Sequence, residues 1–138
     1  MQRSCIVKGL FSFLLLATIF ACKPITYSTE PLHGSGGTAE GWVFTNGTIR
    51  QDGSATLYGT ISSTRIIFTL SPFQTGEVQL GNIFDLRTVT YFDGTTNHLF
   101  SKGKYEITEI TDTLVKGRMY IYSDTMTFNG TFTMQRTL

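Results

Sequence analysis

The sequence predicts an all-β protein: an antiparallel meander of roughly eight short strands forming a barrel or sandwich, after an N-terminal signal helix and a flexible tether. Three observations carry this. Residues 125–136 alternate strictly, with Met126, Phe128, Gly130, Phe132 and Met134 on one parity and Thr125, Thr127, Asn129, Thr131, Thr133 and Gln135 on the other. Such a period of two marks a half-buried strand, whereas a helix would scatter those five residues around its circumference. Turn-forming clusters recur about every ten residues. After Gly41 no stretch shows a helical period.

The chain opens with a charged leader, Arg3 and Lys8, and a short apolar run, Gly-Leu-Phe-Ser-Phe-Leu-Leu-Leu-Ala-Thr-Ile-Phe over residues 9–20. Charge, then a short apolar run, then small residues is the layout of an export signal. The run is too short to span a bilayer, which takes roughly 20 apolar residues. It ends in Ile19-Phe20-Ala21-Cys22, which resembles the bacterial lipobox. The resemblance implies cleavage between Ala21 and Cys22, a diacylglycerol on the Cys22 thiol and acylation (palmitate) of the new N-terminus. Phe20 departs from the small residue usual at that position. The plainer readings are an ordinary signal peptide with an incidental thiol at Cys22, or a buried N-terminal helix.

The expected division is 1–21 signal peptide, 22–40 lipidated cysteine and flexible tether, and 41–138 β domain. The tether holds Pro24, Pro31, Gly34, Gly36 and Gly37. Pro and Gly at this density predict an extended spacer that lifts the domain off the membrane.

Cleavage leaves 117 residues, one domain's worth. A chain of that size buries roughly two-thirds of its unfolded surface, enough for one core without staples. Nine Lys and Arg then face ten Asp and Glu. This mixed, near-neutral balance argues against a nucleic-acid surface and a polybasic membrane patch. Cys5 leaves with the signal and Cys22 carries lipid, so no thiol remains for a disulfide, a metal or a nucleophile.

The strands follow in order. Residues 42–49 come first, with Asn46-Gly47 as a turn or bulge inside them, and Gln51-Asp52-Gly53-Ser54 turns the chain. Residues 55–61 alternate, Ser62-Ser63 turns, and 65–70 (Arg-Ile-Ile-Phe-Thr-Leu) is apolar enough for a central or fully covered strand. Short strands are expected at 77–80, 86–92 and 97–101, with Asp93-Gly94-Thr95 between the last two. Residues 105–111 switch parity, Tyr105 and Ile107 against Ile110, which predicts a bulge or a strand end. Val115, Gly117, Met119 and Ile121 form the inner face of 114–122, and Ser123-Asp124 is a tight hairpin turn into the last strand.

Side chains that could do chemistry are sparse. His98 and Asp93 lie five apart across a turn, where a surface pair is the simpler reading. Glu106 and Glu109 have opposite parity unless the bulge realigns them, so they do not make a glycosidase-like pair. Tyr58, Tyr120 and Tyr122 fall opposite their strands' apolar faces, a pattern that can stack on sugars or partners, though a second sheet packing on that side or plain cross-strand pairing is the simpler reading. Asp112-Thr113-Leu114 and Asp124-Thr125-Met126 resemble the Asp-Thr-aliphatic acceptor of Bacteroidetes O-glycosylation, which implies Thr113 and Thr125 as glycan sites at turns.

The leader, the polar stretch behind it and the closing segment Gly-Lys-Tyr-Glu-Ile-Thr-Glu-Ile-Thr through Gly130-Thr131-Phe132 are similar to small β-rich lipoproteins of Bacteroidetes-type bacteria. The resemblance implies an anchored all-β domain and brings no activity or site residues. The expected role is a lipid-anchored, non-catalytic binding or structural module without a cofactor. Its partners are the membrane, through the lipid, and an envelope protein or glycan; a monomer is expected. The expected place is the outer membrane, on its periplasmic face, since Lys23-Pro24-Ile25 lacks the acidic residues of surface export. The alternative is a lipocalin-like carrier of a small apolar ligand, since about eight strands can enclose one. The large residues Phe68, Met119, Phe128 and Phe132 argue for filled space. An enzyme would need a cleft gathering His98, Asp93 and a Glu.

Overall fold

The computed structural model describes residues 26–61, 63–81 and 87–138; the leader with Ala21 and Cys22 lies outside them. The protein is all-β. Among the described residues ten strands run β1 His33–Ser35, β2 Asn46–Arg50, β3 Ser54–Tyr58, β4 Arg65–Thr69, β5 Gly76–Gln79, β6 Val89–Phe92, β7 Asn97–Phe100, β8 Gly103–Ile110, β9 Leu114–Tyr122 and β10 Thr127–Thr137. They form one sheet in the order β5-β8-β9-β10-β2-β3-β4-β6-β7, with β1 added along β10, and the sheet curls into a half-barrel. Just past β5, Leu80 N–H extends that strand's pairing with β8 by donating to Gly103 O at 3.0 Å.

The concave face is the core. Met126, Phe128, Phe132 and Met134 are buried along the last hairpin, as are Val115, Met119 and Ile121. The alternation of 114–122 and 125–136 is therefore realised side chain by side chain. The rings interdigitate at 4.8 Å for Phe128 and Tyr91 and at 5.5 Å for Phe128 with both Phe44 and Phe100. Phe68 meets Tyr105 at 4.9 Å. Edge-to-face contacts of this kind add about 0.5–1.5 kcal/mol to the burial of each ring.

The expected bulge lies between Ile107 and Glu109. The turn at 51–54 closes through Gly53 N–H to Arg50 O and Ser54 N–H to Asp52 Oδ1. Three expectations are corrected. Asn46-Gly47 is no turn but the start of β2, because the Gly47 backbone packs directly on Thr56 and Leu57 of β3. The strand at 65–70 is central but not covered on both faces: Ile66, Phe68 and Leu70 are buried while Ile67 is 40% exposed. Among the named strands the pairing is antiparallel except between β10 and β2, which run parallel, Thr133 opposite Asn46 through Thr137 opposite Arg50.

The largest departure concerns the stretch read as a flexible tether. Over residues 28–44 it is docked. Leu32 N–H donates to Thr131 O and Thr131 N–H to Glu30 O, both at 2.9 Å. β1 then continues antiparallel along β10. A single 3₁₀ turn, Gly37–Ala39, reverses the chain. It returns beside β1, with Gly34 N–H bonded to Trp42 O and Phe44 N–H to Leu32 O. Leu32, Ala39 and Phe44 are fully buried. Local Pro and Gly density indicates a chain without its own secondary structure; it does not register a strand borrowed from the edge of another.

Candidate functional site

The convex face of β5, β8, β9 and β10 gathers most of the polar chemistry. The chain crosses it before joining the β10 edge: Ser28 N–H donates to Asn129 Oδ1 at 2.9 Å, and the ring of Tyr27 reaches further, over β9 and β8. That ring covers the Arg118 guanidinium with Cζ 4.5 Å from its centroid and the Lys104 ammonium at 5.1 Å. Its hydroxyl donates to Glu77 Oε2 on β5 at 2.9 Å. Burial, and then the hydrogen bond to Glu77, push the Tyr27 phenol above its ordinary range.

The register places the ion pairs. Glu106 lies opposite Arg118 and Glu109 opposite Lys116. The bulge thus realigns the two glutamates onto one face, which simple parity would have separated. Each is then held by a cation of β9: Glu106 Oε1 lies 2.6 Å from Arg118 Nη2, and Glu109 Oε1 lies 3.9 Å from Lys116 Nζ. Carboxylates tied in this way are not a facing acid and base. Beside them Tyr120 and Tyr122 meet edge to face at 5.7 Å, so this tyrosine row pairs along its own strand. Tyr58 stands apart on β3, 47% exposed. A groove of about 490 Å³ runs beside the cluster, with Pro31, Asn46, Thr108, Lys116, Thr131 and Thr133 among its lining residues.

Asp93 and His98 do come together. His98 Nε2 and Asp93 Oδ2 are 2.8 Å apart. Asp93 Oδ1 accepts the N–H groups of Thr95 and Thr96 at 2.9 and 2.7 Å and the Thr95 hydroxyl at 3.0 Å. The bond to His98 and these backbone donors hold the Asp93 carboxyl well below the usual carboxylate range. The imidazole stacks on Tyr91, 5.7 Å between centroids. These bonds of the carboxylate serve the hairpin turn or the ring, so the pair fixes the β6–β7 connection. Among the described residues no group of three or more His, Cys, Asp or Glu could hold a metal ion.

Thr113 and Thr125 are both exposed, in the turns on either side of β9. Nine strand residues separate them by roughly 30 Å, so the structure does not bring them into one site. Cys22 and Ala21 fall outside the described residues. Sequence reasoning missed the Tyr27 cluster, because Tyr27 lies in the stretch read as a spacer and its partners are scattered over three strands. The one local signal was the shared outward parity of Arg118, Tyr120 and Tyr122.

Fold and convex face together define a curled, strapped all-β module. No family model matches the chain, and no curated protein or solved structure is significantly similar to it. Among the described residues no helix is long and apolar enough to cross a membrane, which says nothing of crossing by strands.

Proposed function

We propose that the chain is a lipid-anchored, non-catalytic binding or structural module of the cell envelope, held to the periplasmic face of the outer membrane through acylated Cys22. The observation that carries the reading is Ile19-Phe20-Ala21-Cys22 at the end of a charged and briefly apolar leader. Two acyl chains or more, at about 0.8 kcal/mol per buried CH₂, hold a protein to a bilayer almost permanently. The aromatic packing around Phe128 supports a solid module over a carrier of apolar ligands. The hydroxyl-lined groove beside Thr131 and Thr133 supports a glycan or envelope protein as partner. Exposure at two turn tips supports Thr113 and Thr125 as glycan acceptors.

Cys22→Ser tests the anchor. Expressed in a bacterial host with an outer membrane, the variant should accumulate as an uncleaved precursor or leave the membrane fraction. Unchanged processing with unchanged membrane retention overturns the reading.

A further inference from the structure

Tyr27 is pinned to the sheet by three partners, on β5, β8 and β9. It stands only five residues beyond Cys22. Five residues span at most about 18 Å, whatever path they take. The headgroup layer on one side of a bilayer is itself roughly 5–7 Å thick. A lipid on Cys22 therefore holds the Tyr27 cluster at or just above the headgroups, and the docked strap leaves no long spacer to lift it away.

We propose that the convex face of β5, β8 and β9 is a membrane-contact surface, laid against the headgroup layer of the bilayer that holds Cys22. The proposal rests on the lipid anchor argued above. The surface around Tyr27 suits that occupant. Tyr120 and Tyr122 extend the tyrosine patch along β9, and tyrosines favour the headgroup level, where the ring and the hydroxyl meet matching surroundings. The charges are balanced: Lys104 with Glu77, Arg118 with Glu106, Lys116 with Glu109 and Lys102 with Asp124. A face without net charge gains little from anionic lipids, so the contact belongs to a zwitterionic surface and is insensitive to salt.

The test uses the full acylated protein in phosphatidylcholine vesicles carrying a headgroup nitroxide lipid. Because Cys5 leaves with the leader and the Cys22 thiol is acylated, one introduced cysteine gives a single labelling site. Lys116→Cys places a fluorophore on β9 at the face, and Arg65→Cys places one on the convex side of β4, four strands further round the curl. Intact mass is read first. The expected result is several-fold stronger quenching at position 116 than at position 65, unchanged at high salt. Equal quenching at both positions in acylated protein overturns the orientation and leaves the anchor standing. Quenching at 116 that salt abolishes shows attachment through charge and overturns the contact proposed here. A mature protein without acyl chains overturns the anchor and the orientation with it.

Discussion

The ring of Tyr27 lies over the guanidinium of Arg118, 4.5 Å from centroid to Cζ, and the same guanidinium is held from the other side of the ladder by Glu106. One aromatic residue thereby fastens the N-terminal strap to three strands that are distant in the chain.

Tyr27→Ala should release that fastening. A cation–π contact at a partly exposed site and a hydrogen bond to a carboxylate together contribute about 1–2 kcal/mol. The variant should show a lower urea midpoint and faster proteolytic cleavage just before Ser28. Tyr27→Phe keeps the ring over Arg118 and should lose the smaller part.

The same residue predicts an alkaline effect. The folded state holds the Tyr27 phenol proton more tightly than the unfolded chain does. Its contribution is therefore complete below the ordinary tyrosine value of about 10 and is lost as pH rises beyond it. Urea midpoints of the wild type should fall above that pH more steeply than those of Tyr27→Phe. A residual fall should persist in the variant, since burial also raises the Tyr91 phenol.

At Gly130 the strap lies directly against the sheet. Its φ is +143°, and a Cβ there would stand 2.5 Å from both Cα and N of Leu32. Gly130→Ala should push β1 off β10 at a cost of about 1–3 kcal/mol. Hydrogen exchange should accelerate at the amides of Leu32 and Thr131, while those at the β9 end of the ladder, near Val115, stay protected.

How much of this was legible beforehand follows from where each signal resides. β9, β10 and the bulge at Ile107–Glu109 were readable, because alternation and its interruption are written residue by residue in the strand itself. The inner face of β3 was readable for the same reason, through Ala55 and Leu57, whereas the continuous apolar run of β4 hid which of its faces is open. The strap was not. Leu32 and Gly130 are 98 positions apart, and nothing near either one announces the other. A glycine inside an otherwise strong strand pattern was the available hint, since a missing side chain there invites another backbone to approach. The parallel pairing of β2 with β10 escaped for a related reason: period two fixes a strand's faces but not its neighbours. Of the site, the Asp93–His98 bond was legible as two residues across a turn, and its structural role follows from the donors Thr95 and Thr96.

Asp93 supplies the acid-side prediction. Its carboxyl is held ionised by His98 and by backbone N–H groups, so the folded value lies below the unfolded one. The stabilisation is present above the ordinary carboxylate value of about 4 and is lost as pH falls through the depressed one. Asp93→Asn should flatten that acid limb of the unfolding curve and speed exchange at the amides of Thr95 and Thr96 at neutral pH.

Phe128 tests the core. It touches Phe44, Tyr91 and Phe100 at once, so Phe128→Ala leaves a cavity that three rings cannot collapse into without losing their own contacts. A loss of about 3–5 kcal/mol is expected, measured as the free energy of urea unfolding.

β10 is bordered by β9 along one side and by β1 and then β2 along the other. The sheet runs from one flank to the other through this strand. Withdrawing it would bare two unpaired edges at once, each a template for pairing with another copy, so the module's resistance to aggregation depends on one strand staying in place.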